Sequence, residues 1–76
     1  MKIGDLETGS EAKITGYDQG SKTYRHKLLR MGLLKGCRFR LLRKAPMGDP
    51  VEIELNGQKL TLRKSEADVL IIDTAE

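Results

Sequence analysis

The sequence predicts an all-β fold, a small barrel of about five antiparallel strands with one α-helix inserted after the first strand. Apolar and polar residues alternate through Cys37–Arg63, and this period of two is typical of strands that bury one face. Asn56-Gly57 indicates a two-residue hairpin, because a type I′ turn requires positive φ at both central residues. Five short strands in an open sheet would leave unprotected edges, so we expect the sheet to curl into a barrel.

The Asn56-Gly57 turn also predicts the register of the hairpin that it closes. The expected pairs are Leu55 with Gln58, Ile53 with Leu60, Val51 with Leu62 and, on the other face, Glu54 with Lys59. The apolar side chains then share one face, and the last pair joins opposite charges across the strands. A slip of one residue would turn every side chain to the wrong face, so the register is strongly specified.

The hairpin before it requires an irregularity. A symmetric loop over Ala45–Pro50 would place Ile53 opposite Leu42, which mixes the two faces. A shift by one residue places Ile53 opposite Leu41 and keeps the faces separate. We therefore expect an asymmetric or bulged connection through Lys44–Pro50, with Leu42 left on the outer face.

The residues before the helix read as an anchor and a strand. Ile3 and Leu6 are predicted to pack onto the core. Ser10–Tyr17 is predicted to be the first strand, with its apolar residues on one face. Gly16 is expected at a bulge or bend, as glycine inside a strand often is.

The helix is predicted to run from an N-cap at Ser21 to Met31, with Gly32 as the left-handed residue that ends it. At about 100° per residue, Tyr24, Leu28 and Met31 share a stripe that we expect to face the core. Leu29 falls among the basic residues on the other side. It must be covered by another part of the chain or by a partner.

The last part of the chain predicts one more helical turn and one more strand. Ser65-Glu66-Ala67 is expected to form a single turn. The apolar run Val69–Ile72 is typical of a strand covered on both faces.

Length, charge and composition limit the functions that are open to this chain. Its 76 residues are expected to form one domain, 1–76, with a core too thin to enclose an active site. The net charge of +3 comes with only three aromatic residues, which does not favour a nucleic-acid interface. A single cysteine, with no export signal and no membrane-spanning apolar run, predicts a soluble cytoplasmic protein. Any membrane role would then go through a partner.

No residue pattern predicts catalysis or a bound cofactor. His26 is the only histidine, and no phosphate-binding loop or nucleophile elbow is present. His26 and Cys37 have no second histidine or cysteine nearby to complete a metal site. We therefore expect a protein that is not an enzyme and has no catalytic, cofactor-binding or metal-binding residues.

A partner-binding surface is the more promising prediction. Six residues are its candidates, the first five because the face assignments do not place them in the core and the sixth as part of a basic rim: Leu29, Leu33, Leu34, Leu42, Met47 and Arg30. Exposed apolar residues inside a basic rim are what a protein interface needs. For Leu33 and Leu34, packing of the helix–strand joint is an equally good explanation, and single exposed leucines are common.

Several blocks of residues are distinctive when they are taken together. They are Leu28-Leu29-Arg30-Met31-Gly32-Leu33, Gly36, Ala45-Pro46-Met47-Gly48-Asp49-Pro50, Leu60-Thr61-Leu62-Arg63 and Ala67. In this combination they resemble the FeoA family, the small cytoplasmic accessory proteins of bacterial ferrous iron transport. The resemblance implies an SH3-like barrel with a helix after the first strand. It also implies a partner, the membrane transporter FeoB, through its cytoplasmic GTPase region. Lys35 departs from the family, which usually has proline there.

The leading hypothesis is thus an adaptor that binds FeoB and supports or regulates iron uptake. Two alternatives stay open, a small basic barrel that binds nucleic acid and a metalloregulator-type domain that senses iron. We expect a monomer or a weak homo-oligomer, since nothing in the sequence demands a dimer.

Overall fold

A computed structural model describes residues 1–19 and 22–74, and it contains five strands in one antiparallel sheet. The strands are β1 (Glu11–Tyr17), β2 (Arg38–Lys44), β3 (Val51–Leu55), β4 (Gln58–Leu62) and β5 (Leu70–Thr74). Helix α1 (Lys22–Arg30) lies between β1 and β2, and the single turn α2 (Lys64–Ala67) lies between β4 and β5. The predicted five-stranded fold with one main helix after the first strand is confirmed.

The sheet has the strand order β4-β3-β2-β1-β5. The β3–β4 hairpin has the predicted register, with Ile53 opposite Leu60 and Glu54 opposite Lys59. Asn56 and Gly57 both have positive φ, at 53° and 81°, as the tight turn requires. The local turn chemistry therefore sets the pairing of these two strands.

The β2–β3 pairing also places Leu41 opposite Ile53, as predicted. The irregularity, however, lies inside β2 rather than in the connection through Lys44–Pro50. Lys44 pairs with Val51, and the register shifts between Leu41 and Arg43. The extra residue, Leu42, lets the loop close symmetrically while the apolar side chains still reach the core. A second shift in β1, between Ile14 and Gly16, confirms the bulge expected at Gly16.

The N-terminal residues pack onto the barrel as predicted. Ile3 is 0% exposed and Leu6 is 4% exposed, and a 3₁₀ turn runs over Ile3–Asp5. The ammonium of Lys44 donates to the Leu6 carbonyl at 2.7 Å. This bond satisfies an acceptor of the turn that has no helical partner.

Helix α1 contributes less to the core than predicted. Leu28 is 0% exposed and Met31 packs partly against the core. Tyr24, which was expected on the same buried stripe, is 38% exposed. Within this nine-residue helix, only Leu28 and the half-buried Leu29 are covered, and both lie in its last turn. The predicted N-cap, Ser21, lies outside the described residues.

The core is built from the inner faces of all five strands, and six residues outside the strands complete it: Ile3, Leu6, Leu28, Leu33, Ala67 and Val69. Three residues predicted to face inward are only partly buried: Cys37, Leu60 and Ile71. Cys37 precedes β2, and Leu60 lies on β4, at one end of the sheet. Ile71 lies on β5 at the other end of the sheet, so the prediction that this strand is covered on both faces is wrong at Ile71. Among residues 1–19 and 22–74, no helix is long and apolar enough to cross a membrane.

Candidate partner-binding surface

The connection from α1 to β2 is a sequence of tight turns. Gly32 has φ +92°, a conformation that glycine adopts without the penalty that a Cβ brings. Its amide bonds to the Leu29 carbonyl at 3.1 Å, and the Leu33 amide bonds to the Leu28 carbonyl at 3.0 Å. These two bonds form the Schellman motif that ends the helix. The Cys37 amide then bonds to the Leu34 carbonyl at 3.0 Å, which turns the chain into β2.

This geometry separates the two leucines of the connection. Leu33 is 0% exposed and belongs to the core, whereas Leu34 is 48% exposed. An apolar residue after a left-handed helix end commonly packs inward, and Leu33 belongs to the core cluster. Of the two explanations given for Leu33, its burial favours packing of the helix–strand joint over contact with a partner.

Tyr17, at the end of β1, connects this segment to the helix. Its hydroxyl donates to the Leu33 carbonyl at 2.6 Å, and the guanidinium carbon of Arg25 lies 5.6 Å from its ring centroid. Burial raises the pKa of the Tyr17 phenol, although the backbone amide of Lys35 and the charge of Arg25 act in the opposite direction. The phenol therefore stays neutral and continues to donate at physiological pH.

A buried carboxylate connects α1 to α2. Glu66 is 3% exposed, and its Oε1 accepts from the Arg63 amide at 2.9 Å, while Oε2 pairs with the Lys27 ammonium. Burial favours the neutral acid, but the hydrogen bonds and charges of Lys27 and Arg63 outweigh it, so the pKa of Glu66 is lowered. The carboxylate is therefore ionised and stabilises the position of α1.

The loop between β2 and β3 projects one apolar side chain. Met47 is 97% exposed and has φ +68°, a left-handed conformation that is unfavourable for any residue with a Cβ. The loop is closed by a bond from the Ala45 amide to the Pro50 carbonyl at 3.0 Å. Asp49 Oδ1 accepts from the Lys64 amide at 3.1 Å, so the loop is tied to α2. Met47 is thus presented to solvent on a well-supported turn.

A small pocket of about 300 Å³ lies beside this loop. Most of its lining is apolar, from Ile3, Ala45, Val51 and Ala67, with Lys44 and Lys64 beside them. The pocket is open to solvent and is separate from the α1 side of the molecule. Its volume is at the lower end of the range for small-molecule pockets, and it is an open recess rather than an enclosed cavity.

The candidate residues therefore divide into three groups. Leu34, Met47 and Arg30 are exposed, Leu29 and Leu42 are half-buried, and Leu33 is buried. The sequence placed them together as one set, but they lie on separate elements: α1, its connection, β2 and the loop after β2. Within the described residues, no group of three or more His, Cys, Asp or Glu side chains is arranged to hold a metal ion.

Two functional features were missed by the sequence reasoning. Tyr17 was treated only as the end of a strand, and nothing in its neighbours signals the contact with Arg25. Glu66 lies three residues after Arg63, which is the spacing of a capping box. Because the first position is not serine or threonine, the usual form of that signal was absent.

Comparison with known proteins identifies relatives that match nearly the whole chain. The model of the FeoA domain family matches residues 1–73. A curated fusion protein of Porphyromonas gingivalis, named as Fe(2+) transport protein A joined to Fe(2+) transporter FeoB, is 30% identical over 67 residues. Those residues are 88% of this chain, but the match spans only 8% of the length of the fusion protein.

Solved structures agree with the fold. The NMR structure of an FeoA-like protein from Clostridium acetobutylicum is 36% identical and has a TM-score of 0.86. The match covers 97% of this chain and 85% of that protein. FeoA from Stenotrophomonas maltophilia, described as a prokaryotic SH3 domain protein, is 24% identical with a TM-score of 0.81 over 96% of this chain and 89% of that chain. The predicted SH3-like barrel and the resemblance stated from the sequence are both confirmed.

Proposed function

The chain belongs to the FeoA family, and on that premise we propose that it is a non-enzymatic accessory protein of ferrous iron uptake. In this role it acts in the cytoplasm and binds the cytoplasmic GTPase region of a FeoB-type transporter. The observation that carries the proposal is the fusion protein of Porphyromonas gingivalis, in which an FeoA segment and FeoB share one polypeptide. Two proteins that are joined in one relative commonly act on each other when they are separate chains.

The surface of the barrel supports an adaptor role. Leu34 and Met47 are exposed apolar side chains held on turns that are fixed by backbone hydrogen bonds. Rigid loops on a stable scaffold are common recognition elements, because little entropy is lost when they bind. Exposed apolar anchors of this kind contribute the largest part of the binding energy in many interfaces.

Binding to the cytoplasmic region of a FeoB-type transporter tests the proposal, with Leu34→Asp and Met47→Asp as variants. Both side chains are exposed, so neither change should disturb the fold. We expect the native chain to bind and at least one variant to bind about tenfold more weakly, the loss of about 1.4 kcal/mol that one apolar anchor supplies. Calorimetry or interferometry measures the dissociation constants.

Gln58→Asp, an exposed change in the β3–β4 hairpin, is the matched control and should bind like the native chain. The experiment should be repeated with and without guanine nucleotide. Absence of binding by the native chain in both conditions would contradict the proposed function. Equal affinities for all four proteins would contradict the assignment of Leu34 and Met47 to the interface.

A further inference from the structure

The basic residues of this chain are concentrated in one stretch. Residues 22–44 contain nine of the 14 Lys and Arg residues and none of the 11 Asp and Glu residues. The rest of the chain is therefore acidic on balance. This separation of charge runs from the first residue of α1 to the last residue of β2.

The fold uses some of these cations. Lys27 pairs with Glu66, Arg40 with Glu11 and Arg43 with Glu52, while Lys44 donates to backbone carbonyls. Others form no ion pair within 4 Å among residues 1–19 and 22–74: Lys22, Arg25, Arg30, Lys35 and Arg38. Three of these five belong to α1.

Helix periodicity places the cations of α1 that form no ion pair among the described residues around one leucine. Lys22, Arg25 and His26 precede Leu29 by seven, four and three residues, which are the spacings that share a helix face. Arg30 follows Leu29 directly and borders the same surface. We call these five residues the basic face of α1. Leu29 is half-buried at its centre, and the other four residues are exposed.

The stability of the fold explains only part of the basic face. Arg25 lies over the Tyr17 ring, and Arg30 in the last turn suits the helix dipole. α1 has no acidic residue in its first turn, although the helix dipole favours acidic residues there and disfavours Lys22. Lys22 and Arg25 are one turn apart, and like charges at that spacing repel each other. Lys22 and Arg25 therefore do not stabilise the isolated helix, and no ion pair within 4 Å neutralises these two cations or Arg30 among residues 1–19 and 22–74.

We propose that the basic face of α1 binds an acidic protein segment, with Leu29 as its apolar contact. This inference rests on the proposed function, because it states the chemistry of the partner surface in the transporter's cytoplasmic region. Guanidinium groups suit carboxylates, since they donate two hydrogen bonds in a planar fork. A surface for single-stranded nucleic acid usually carries several aromatic residues for stacking, and Leu29 is too recessed to insert into a membrane.

An NMR titration of the ¹⁵N-labelled full chain tests the inference. The probes are a twelve-residue peptide of glutamate and leucine, the cytoplasmic region of a FeoB-type transporter, a 20-nucleotide single-stranded RNA, and vesicles containing phosphatidylglycerol. The helix variant is Lys22→Gln/Arg30→Gln. The matched control is Arg43→Gln/Lys59→Gln, which removes the same net charge from the sheet.

The peptide and the transporter region should shift the amides of α1 and of the connection that follows it. The helix variant should weaken both by about tenfold and the control by less than about twofold, and binding should weaken as salt rises. Equal weakening by the two variants, or shifts confined to the sheet or the Met47 loop, would overturn the inference. Stronger binding of RNA or vesicles at the same amides would overturn the choice of an acidic protein segment.

The two proposals can fail separately. If the transporter region binds through Leu34 and Met47 and ignores the helix variant, the basic face is wrong and the proposed function stands. If the peptide binds the basic face and the transporter region does not bind the native chain, the proposed function is wrong and the chemistry of the face stands.

Discussion

The outer face of the sheet and the outer face of α1 both carry many charges, but they arrange them differently. On the sheet, charges of alternating sign lie side by side across four strands, in the order Lys59, Glu54, Arg40 and Glu11. The Arg40 guanidinium lies 2.6 Å from the Glu11 carboxylate. Such cross-strand pairs stabilise a sheet by roughly 0.2–1 kcal/mol each.

On α1 the charges have one sign, and the structure gives Lys22 and Arg30 no carboxylate partner among the described residues. The comparison teaches that the same residue types serve two purposes in one small protein. The charges of the sheet contribute to folding. On α1, Lys27 contributes to folding through its pair with Glu66, whereas Lys22 in the first turn acts against folding. The proposed acidic partner would explain the cations that have no carboxylate partner.

The largest expected effect follows from the attachment of α1. Leu28 is the only buried side chain of the helix and is 0% exposed. Leu28→Ala should lower the free energy of unfolding by about 2–5 kcal/mol, since it leaves a cavity under the helix. Urea denaturation followed by circular dichroism measures the change.

Leu34→Ala is the control for Leu28→Ala, because Leu34 is 48% exposed. It should change the free energy of unfolding by less than about 0.5 kcal/mol. A Leu28→Ala protein as stable as this control would show that the helix does not depend on its buried leucine.

The ion pair between the two helices gives a smaller and pH-dependent effect. Glu66→Gln keeps an acceptor for the Arg63 amide but removes the charge that pairs with Lys27, so we expect a loss of about 1–2 kcal/mol at pH 7. The pKa of Glu66 is lowered from its ordinary value of 4.5. A lowered pKa adds stability above the unfolded-state value, and this stability is lost as the pH falls through the folded-state value.

The stability difference between the native chain and Glu66→Gln should therefore shrink below about pH 4.5. Denaturation at a series of pH values measures it. Asp68→Asn is the control, because its pair with Lys64 is longer, at 3.8 Å, and exposed. A difference between Glu66→Gln and the native chain that stays constant down to pH 2 would contradict the role given to the carboxylate.

The smallest expected changes in stability test the comparison between the sheet and α1 most directly, because the two variants should change stability in opposite directions. Arg40→Gln should destabilise the protein by about 0.2–1 kcal/mol, because it breaks the charge ladder of the sheet. Lys22→Gln should stabilise it by about 0.2–0.5 kcal/mol, because it removes a cation from the first turn of a helix. Thermal denaturation at low salt measures both, and high salt should reduce both. Equal losses in the two variants would show that the helix charges also serve the fold.

The sequence predicted the pairing of strands better than the surface of the molecule. The register of β3 and β4 follows from Asn56-Gly57 and from one alternating pattern, and both are local. An irregularity was expected in the connection through Lys44–Pro50, but it lies at Leu42, inside β2. That position depends on where the loop closes, and the closing pair Lys44–Val51 forms between residues on different strands.

Burial on the helix was the harder prediction. Periodicity placed Tyr24 and Leu28 on one stripe, yet only Leu28 is covered, because coverage depends on how far the barrel extends beneath α1. Leu33 was undecided between joint and interface, and its burial follows from the Schellman motif. The contacts of Tyr17 with Leu33 and of Glu66 with Lys27 join separate elements, so no local pattern reports them.

The single buried anchor of α1 has a consequence for motion. A segment held by one apolar side chain and a few polar contacts opens more easily than a sheet with many buried residues. Amide hydrogens of α1 should therefore exchange with deuterium through local opening, while those of β2 and β3 wait for global unfolding. A partner bound to α1 would slow the exchange of its amides toward the rate of β2 and β3. Slowed exchange in α1 alone would therefore identify α1 as the binding site.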